Sequence, residues 1–384
     1  MGFLMKQLLS LIILISVIFI YGCAKSLIKI SFDKDENQHL MFGGNSGRNF
    51  YYPVEVSDSL VEIWNQDVYG SFDNSSAVVK DSLIFTSDLG GRIFCFDVYS
   101  GKQVGILRSK GSVFSAPLIK NYNLVYALVI DNENKTELIF YDLFRGVELF
   151  NVEIRGRVLS EMILESDNII LCTENGEVQK LSIGAKEIWS TKINSKNYSN
   201  PALADNRILL ADINGYFIAL DYQTGKIIYK NKIAGPVFSG ITVKEGKAFF
   251  ADNNGIVYCV DILSGKLIWN YDTGDKIRSN PALDDYNLFI GNLKGNLYSI
   301  NQNNGSLNWM TKLDGIIRST PLITKNKIIT VNLNRSFSIL NKLDGKIRKT
   351  FELNGRGKLS PVLYDNILII GYDDGKLSAY EFVY

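Results

Sequence analysis

Seven serines stand at nearly constant spacing, at Ser75, Ser115, Ser160, Ser199, Ser239, Ser279 and Ser319. A ring of hydroxyls is the first arrangement in this chain that could supply nucleophiles. A serine attacks only when a neighbouring base takes its proton. The single histidine, His39, lies well before the first of them, and no lysine is placed to activate them. A Ser-His-Asp triad, a histidine-rich zinc site and the His-Glu-x-x-His motif are thereby excluded. The serines are expected to satisfy backbone groups near the centre of the fold. Three acidic segments superficially suggest calcium loops: Asp131-Asn132-Glu133-Asn134, Asp252-Asn253-Asn254-Gly255 and Tyr372-Asp373-Asp374-Gly375. None has the spaced ligands and terminal Glu of such a loop. They fall where hairpins are expected, and Asn and Asp tolerate the left-handed backbone of a tight turn. No metal, cofactor or catalytic residue is therefore expected.

The serines belong to a longer pattern, a Ser-x-Pro step followed by an apolar run. Its third position falls at Ala77, Pro117, Met162, Pro201, Ile241, Pro281, Pro321 and Pro361, so eight copies of about 40 residues fill the chain. Each copy has four short alternating segments separated by Gly, Asn and Asp turns, which predicts a four-stranded antiparallel sheet. A repeat of this period predicts an all-β, eight-bladed β-propeller, because each sheet buries its faces only by stacking on its neighbours. The last copy ends after its third strand, near Lys376–Phe382. A fourth-strand pattern, Leu60–Asp67, precedes the first copy. Val61–Asn65 is thus expected to complete the last blade and close the ring. Cys95 and Cys259 fill one repeat slot in blades one and five, too far apart for a disulfide. Cys172 has no evident partner.

Residues 1–22 read as a signal peptide. The uncharged run Leu8–Ile20 would span about 20 Å as a helix, short of a bilayer core of about 30 Å. Gly22-Cys23 after that run resembles a bacterial lipobox, which implies lipidation at Cys23. Ala24 in place of Asp implies outer-membrane sorting, with the protein facing the periplasm. Residues 23–40 are polar and aperiodic and are expected to form a tether, with 41–384 as the propeller. The formal charge of +1 on 384 residues argues against nucleic acid as a partner.

The turns Asp97-Val98-Tyr99-Ser100-Gly101-Lys102, Asp221-Tyr222-Gln223-Thr224-Gly225-Lys226 and Asp261-Ile262-Leu263-Ser264-Gly265-Lys266 resemble the pyrroloquinoline-quinone (PQQ)-like repeat. That family follows the turn with a strand bearing Trp, as in Leu267-Ile268-Trp269. The lead-in Met41-Phe42-Gly43-Gly44-Asn45-Ser46-Gly47-Arg48 is similar to its segment ahead of the first blade. A lipobox followed by eight such blades looks most like the outer-membrane-assembly lipoprotein branch typified by BamB. That resemblance implies a noncatalytic scaffold for the periplasmic domains of the assembly machine's central barrel protein. The alternative it leaves is a propeller whose channel binds a small ligand such as PQQ or a glycan, as in quinone dehydrogenases. Their vicinal cysteine pair and long inserted loops are missing from this chain.

Three residues before the repeat's reference position, successive blades carry Asn74, Phe114, Leu159, Tyr198, Phe238, Arg278, Arg318 and Lys358. Mapped onto a circle, the series gives an apolar and aromatic arc over blades two to five and a basic arc over six to eight. Phe114, Tyr198, Phe238, Arg278, Arg318 and Lys358 are the candidate contacts with an envelope protein partner. The aromatic residues would anchor it and the cations would steer an acidic surface.

Overall fold

The computed structural model describes residues 27–32, 40–68, 70–373 and 375–384. The signal peptide, Cys23 and His39 lie outside the described residues. Eight four-stranded antiparallel sheets are present, seven of them formed from consecutive strands. The eighth takes its first three strands from Val362–Tyr364, Ile367–Tyr372 and Lys376–Val383. Its outer strand is β1, Ser59–Asp67, which pairs antiparallel with Lys376–Val383. The chain is an all-β, eight-bladed propeller closed by an N-terminal strand.

Burial follows position within the blade. In blade four Phe217–Leu220 of the third strand are buried, whereas the outer strand Ile227–Lys232 is half-exposed or exposed throughout. Inner strands sit between two neighbouring blades and read as continuous apolar runs for that reason. The hairpins are set by side-chain caps. Asp252 Oδ1 accepts from the backbone of Asn254 (2.9 Å) and Ile256 (3.1 Å), and Asp212 and Asn292 do the same in their blades. The other Asp252 oxygen accepts from Gly235 N–H and the Tyr258 hydroxyl, each at 2.8 Å. A turn therefore uses this carboxylate fully.

One contact recurs at four of the blade junctions. Trp189, Trp269 and Trp309 on outer strands donate their indole N–H to Tyr222, Gln302 and Lys342 carbonyls of the following blade, at 3.2, 2.9 and 3.1 Å. Each ring lies over the glycine of that blade's turn. A Cβ at Gly225, Gly305 or Gly345 would come within 2.4–2.7 Å of the indole. These glycines also have φ between +68° and +73°, so both backbone and contact require glycine. Trp64 of β1 makes the same contact with Gly101 and Val98 O (2.7 Å), which locks the last blade onto the first.

The junction of blades one and two differs. Gly105 pairs with Cys95 at the position where Trp269 pairs with Cys259, so the indole is missing. The strap Leu27–Phe32 occupies the vacant slot. Ile28 is fully buried, its carbonyl accepts from the Tyr141 hydroxyl (3.0 Å), and Ile30 N–H donates to Leu143 O (2.9 Å). A Cβ at Gly105 would lie 2.6 Å from Leu27 O. Phe32 stacks on Tyr122 at 5.2 Å. Residues 27–32, expected in the tether, are thus part of the packed structure. Their aperiodic sequence hid this because they fill a defect in the repeat.

Closure through β1 generates a prediction. Trp64→Ala removes a buried indole and its hydrogen bond, at a cost of about 3–5 kcal/mol. Urea unfolding should show it, and a chain starting at Val68 should aggregate or melt lower still. Wild-type stability in the truncated chain would refute closure by β1.

Candidate docking face

Consecutive strands alternate in direction, so all loops entering the first strands lie on one face of the disk, with the hairpins between second and third strands. The positions Asn74 to Lys358 therefore share that face. First strands of adjacent blades contact one another, which places them innermost. Their entry residues are joined in a belt. Ala116 N–H donates to Glu161 Oε2 (2.8 Å), Glu161 N–H to Asn200 Oδ1 (2.9 Å), and Gly240 N–H to Asn280 Oδ1. Asn280 Nδ2 donates to Thr320 Oγ1 (3.0 Å), Thr320 N–H to Ser360 Oγ (3.1 Å), and Ser360 N–H to Ser75 O (2.8 Å). The serine ring is structural where its bonds are resolved. Ser239 and Ser279 donate to Ala251 and Gly291 carbonyls, at 2.7 and 2.8 Å, each twelve residues onward.

On this face four of the candidate residues form a chain of neighbours. Tyr198 and Phe238 stack with centroids 5.7 Å apart and planes 20° from parallel. The Arg278 guanidinium lies 3.8 Å from the Phe238 centroid, at cation–π distance. Burial first, and then the Arg318 charge, pulls Arg278 below its ordinary pKa. Arg318 is exposed, and its carbonyl accepts from Asn74 Nδ2 at 2.8 Å. That bond reaches over blade eight, so these residues rim the channel mouth. Phe114 is half-buried and separate from the stack; among the described residues no ring contact joins it to Tyr198.

Three cations beyond this arc are neutralised. Lys358 Nζ lies 3.2 Å from Asp373, and Arg356 Nε donates to the same carboxylate at 2.8 Å. Arg157 Nε donates to Glu174 at 2.8 Å. Among the described residues neither Arg278 nor Arg318 forms an ion pair. Beside the mouth is a groove of about 880 Å³, lined by Ser71, Asn334, Arg335, Arg356 and Asp373 among others. The sequence reading missed Arg335; it takes a hairpin position with φ of +57°, where most blades carry glycine.

The channel itself is occupied from the opposite face. Backbone N–H groups of Leu203, Val243, Leu283 and Ile323, in blades four to seven, donate to the carbonyls of Ser46, Gly47, Asn49 and Phe50. Five residues of chain reach at most about 17 Å. Meeting four blades within that length requires a path close to the axis. Arg48 is buried, and its guanidinium donates to the carbonyls of Pro201, Phe42, Glu161 and Met162. The belt residue Glu161 is buried nearby. Burial pushes its carboxyl up to about 7, against the opposing pull of the Arg48 charge. The thiols of Cys172 and Cys259 are raised to about 12 and that of Cys95 further, chiefly by burial, so all three are inert.

A family profile described as outer membrane protein assembly factor BamB matches residues 57–200, 174–280 and 253–382. Among solved structures, the chain is similar to BamB from Moraxella catarrhalis, with a TM-score of 0.70 and 15% identity over 84% of this chain and 100% of that one. It is as similar to the computationally designed Ika8 protein, with a TM-score of 0.71 and 13% identity over 84% of this chain and 99% of that one. A natural and a designed protein match equally well, so the structural likeness speaks to the fold. No curated protein matches the chain.

Glu161 gives the axis a pH signature. Its carboxyl is raised from 4.5 to about 7 on folding, so the folded state holds a proton that the unfolded state releases. The stabilisation is complete below about pH 4.5 and is lost as pH rises through about 7, a swing of roughly 3 kcal/mol. Glu161→Gln should remove this fall, gaining on wild type between about pH 5 and pH 8. Parallel stability–pH curves would show that the group is not buried as a carboxylic acid.

Proposed function

The chain belongs to the outer membrane protein assembly factor BamB family, and from that membership we propose that it is a noncatalytic, lipid-anchored scaffold binding a protein partner in the cell envelope. In this reading residues 1–22 are a cleaved signal peptide and Cys23 carries the lipid. The partner is a component of the outer-membrane assembly machinery, by resemblance the periplasmic domains of its central barrel protein. The protein then faces the periplasm from the outer membrane. The single observation that carries the reading is the row Tyr198, Phe238, Arg278 and Arg318. It offers apolar anchors and uncompensated positive charge side by side, the combination expected of a binding hot spot. Phe114 and Lys358 lie at the two ends of the same series. Lys358 contributes less because Asp373 already holds it. A ligand-binding channel is disfavoured because residues 46–50 and Arg48 take up the space a ligand would need.

Two measurements test this. Replacing Cys23 with Ser should abolish acyl labelling and release the protein from membranes; full retention would mean an uncleaved anchor instead. Charge reversal at Arg278 and Arg318 together should weaken binding to the purified periplasmic domains of the barrel protein by about 1–3 kcal/mol, with steep salt dependence. Phe238→Ala should weaken it by a similar amount with little salt dependence. Wild-type binding by folded variants at every ionic strength would place the interface elsewhere.

A further inference from the structure

The strap Leu27–Phe32 fixes where the chain leaves the propeller. It packs at the ends of blade two where Tyr122, Leu143 and Phe144 meet. Those turns connect first to second strands and third to fourth, so they lie opposite the loops bearing Phe238 and Arg278. The chain leaving the channel segment 46–50 is on the same side, since Val54 and Val56 bond Lys325 and Asn326 there. Four residues from position 23 to Leu27 reach at most about 14 Å. A lipid on Cys23 would therefore hold this rim against the bilayer, rather than let the propeller swing on a tether of residues 23–40.

The rim has the composition such a position demands. Leu27 and Phe144 are 49% and 56% exposed. Between them lie two exposed cations, Lys29 and Arg145, and a groove of about 550 Å³ that they line with Ile30, Ser31 and Phe144. Arg145 Nε is 3.4 Å from Asp142, yet its side chain stays 70% exposed. Exposed apolar side chains flanked by cations are the signature of a surface that seats at the headgroup boundary. We infer that the strap-bearing rim of blades one and two, with Leu27, Lys29, Phe144 and Arg145, docks on the lipid bilayer surface and points the Phe238–Arg278 face away from it. This rests on the reading that Cys23 is acylated.

The test uses full-length acylated protein in vesicles of phosphatidylethanolamine and phosphatidylglycerol, some lipids carrying a nitroxide near the headgroup. Phe144→Cys, Leu27→Cys and, on the opposite face, Lys294→Cys are each labelled with an environment-sensitive fluorophore. Cys95, Cys172 and Cys259 are buried and should not react. A seated rim lies within ~5–10 Å of the headgroup–acyl boundary. The probes at 144 and 27 should lose most of their emission to the nitroxide, while the probe at 294 keeps its own. Weak quenching at both 144 and 27, or equal quenching at 294, on acylated, vesicle-bound protein overturns the docking and leaves the lipid reading standing. Absence of acyl label on Cys23 would sink both.

Discussion

A propeller blade cannot bury both faces alone, so the molecule depends on how each sheet is fastened to the next. At four of the eight junctions the fastening is an indole laid over a glycine, with the indole N–H on a carbonyl of the same turn. Blade four substitutes Tyr229, whose hydroxyl donates to Ile262 O at 2.7 Å over Gly265. Removing either partner fails for a different reason. A smaller ring leaves a cavity, and a larger residue than glycine collides with the ring while its backbone is held at positive φ. The contact also makes closure specific, because β1 can pair with any sheet edge but Trp64 finds Gly101 only in one register.

The segment before the first blade supplies what the repeat lacks. Ile28 fills the slot left by Gly105, residues 46–50 cross the axis, and β1 completes the ring. These three roles fall within residues 28–67, so one stretch of sequence ties the ends of the ring to its centre. A long-range pairing such as Leu60 with Phe382 is entropically slow to find. In the folded state the hydrogen bonds of residues 46–50 to blades four through seven bring the chain round to the edge that β1 completes.

The blades were legible because their chemistry is local. Gly at positive φ, Asp and Asn caps, and alternating apolar residues recur every 40 residues and need no tertiary knowledge. Closure was legible because two incomplete copies stand at opposite ends. The strap was not, since its only signal is an absence, Gly105 where an aromatic belongs. The candidate face was legible as a circular series, but its charge pairing was not. Arg157 and Arg356 sit five residues before the reference position and bond carboxylates seventeen residues onward, Glu174 and Asp373. Lys358 shares the offset of Arg278 and Arg318 and still pairs with Asp373, whereas blades six and seven carry Leu293 and Leu333 where Glu174 and Asp373 stand. The acid carried by the blade decides which cation is neutralised, and a list of basic residues does not reveal it.

That leaves Arg278 and Arg318 in an arrangement that is unfavourable on its own terms. Two neighbouring guanidiniums repel, and Arg278 is partly desolvated against Phe238 without a carboxylate to compensate. Elsewhere on this face the chain places an acid beside several cations, at Asp88 for Arg92, Glu174 for Arg157 and Asp373 for Arg356. The stack on Phe238 holds the guanidinium in place, so little side-chain freedom remains to be lost on binding. An acidic group brought between the two arginines would relieve their repulsion and recover the missing pairing at once. The strain is thus of the kind a partner removes, and it sits where the aromatic surface can exclude water from the contact.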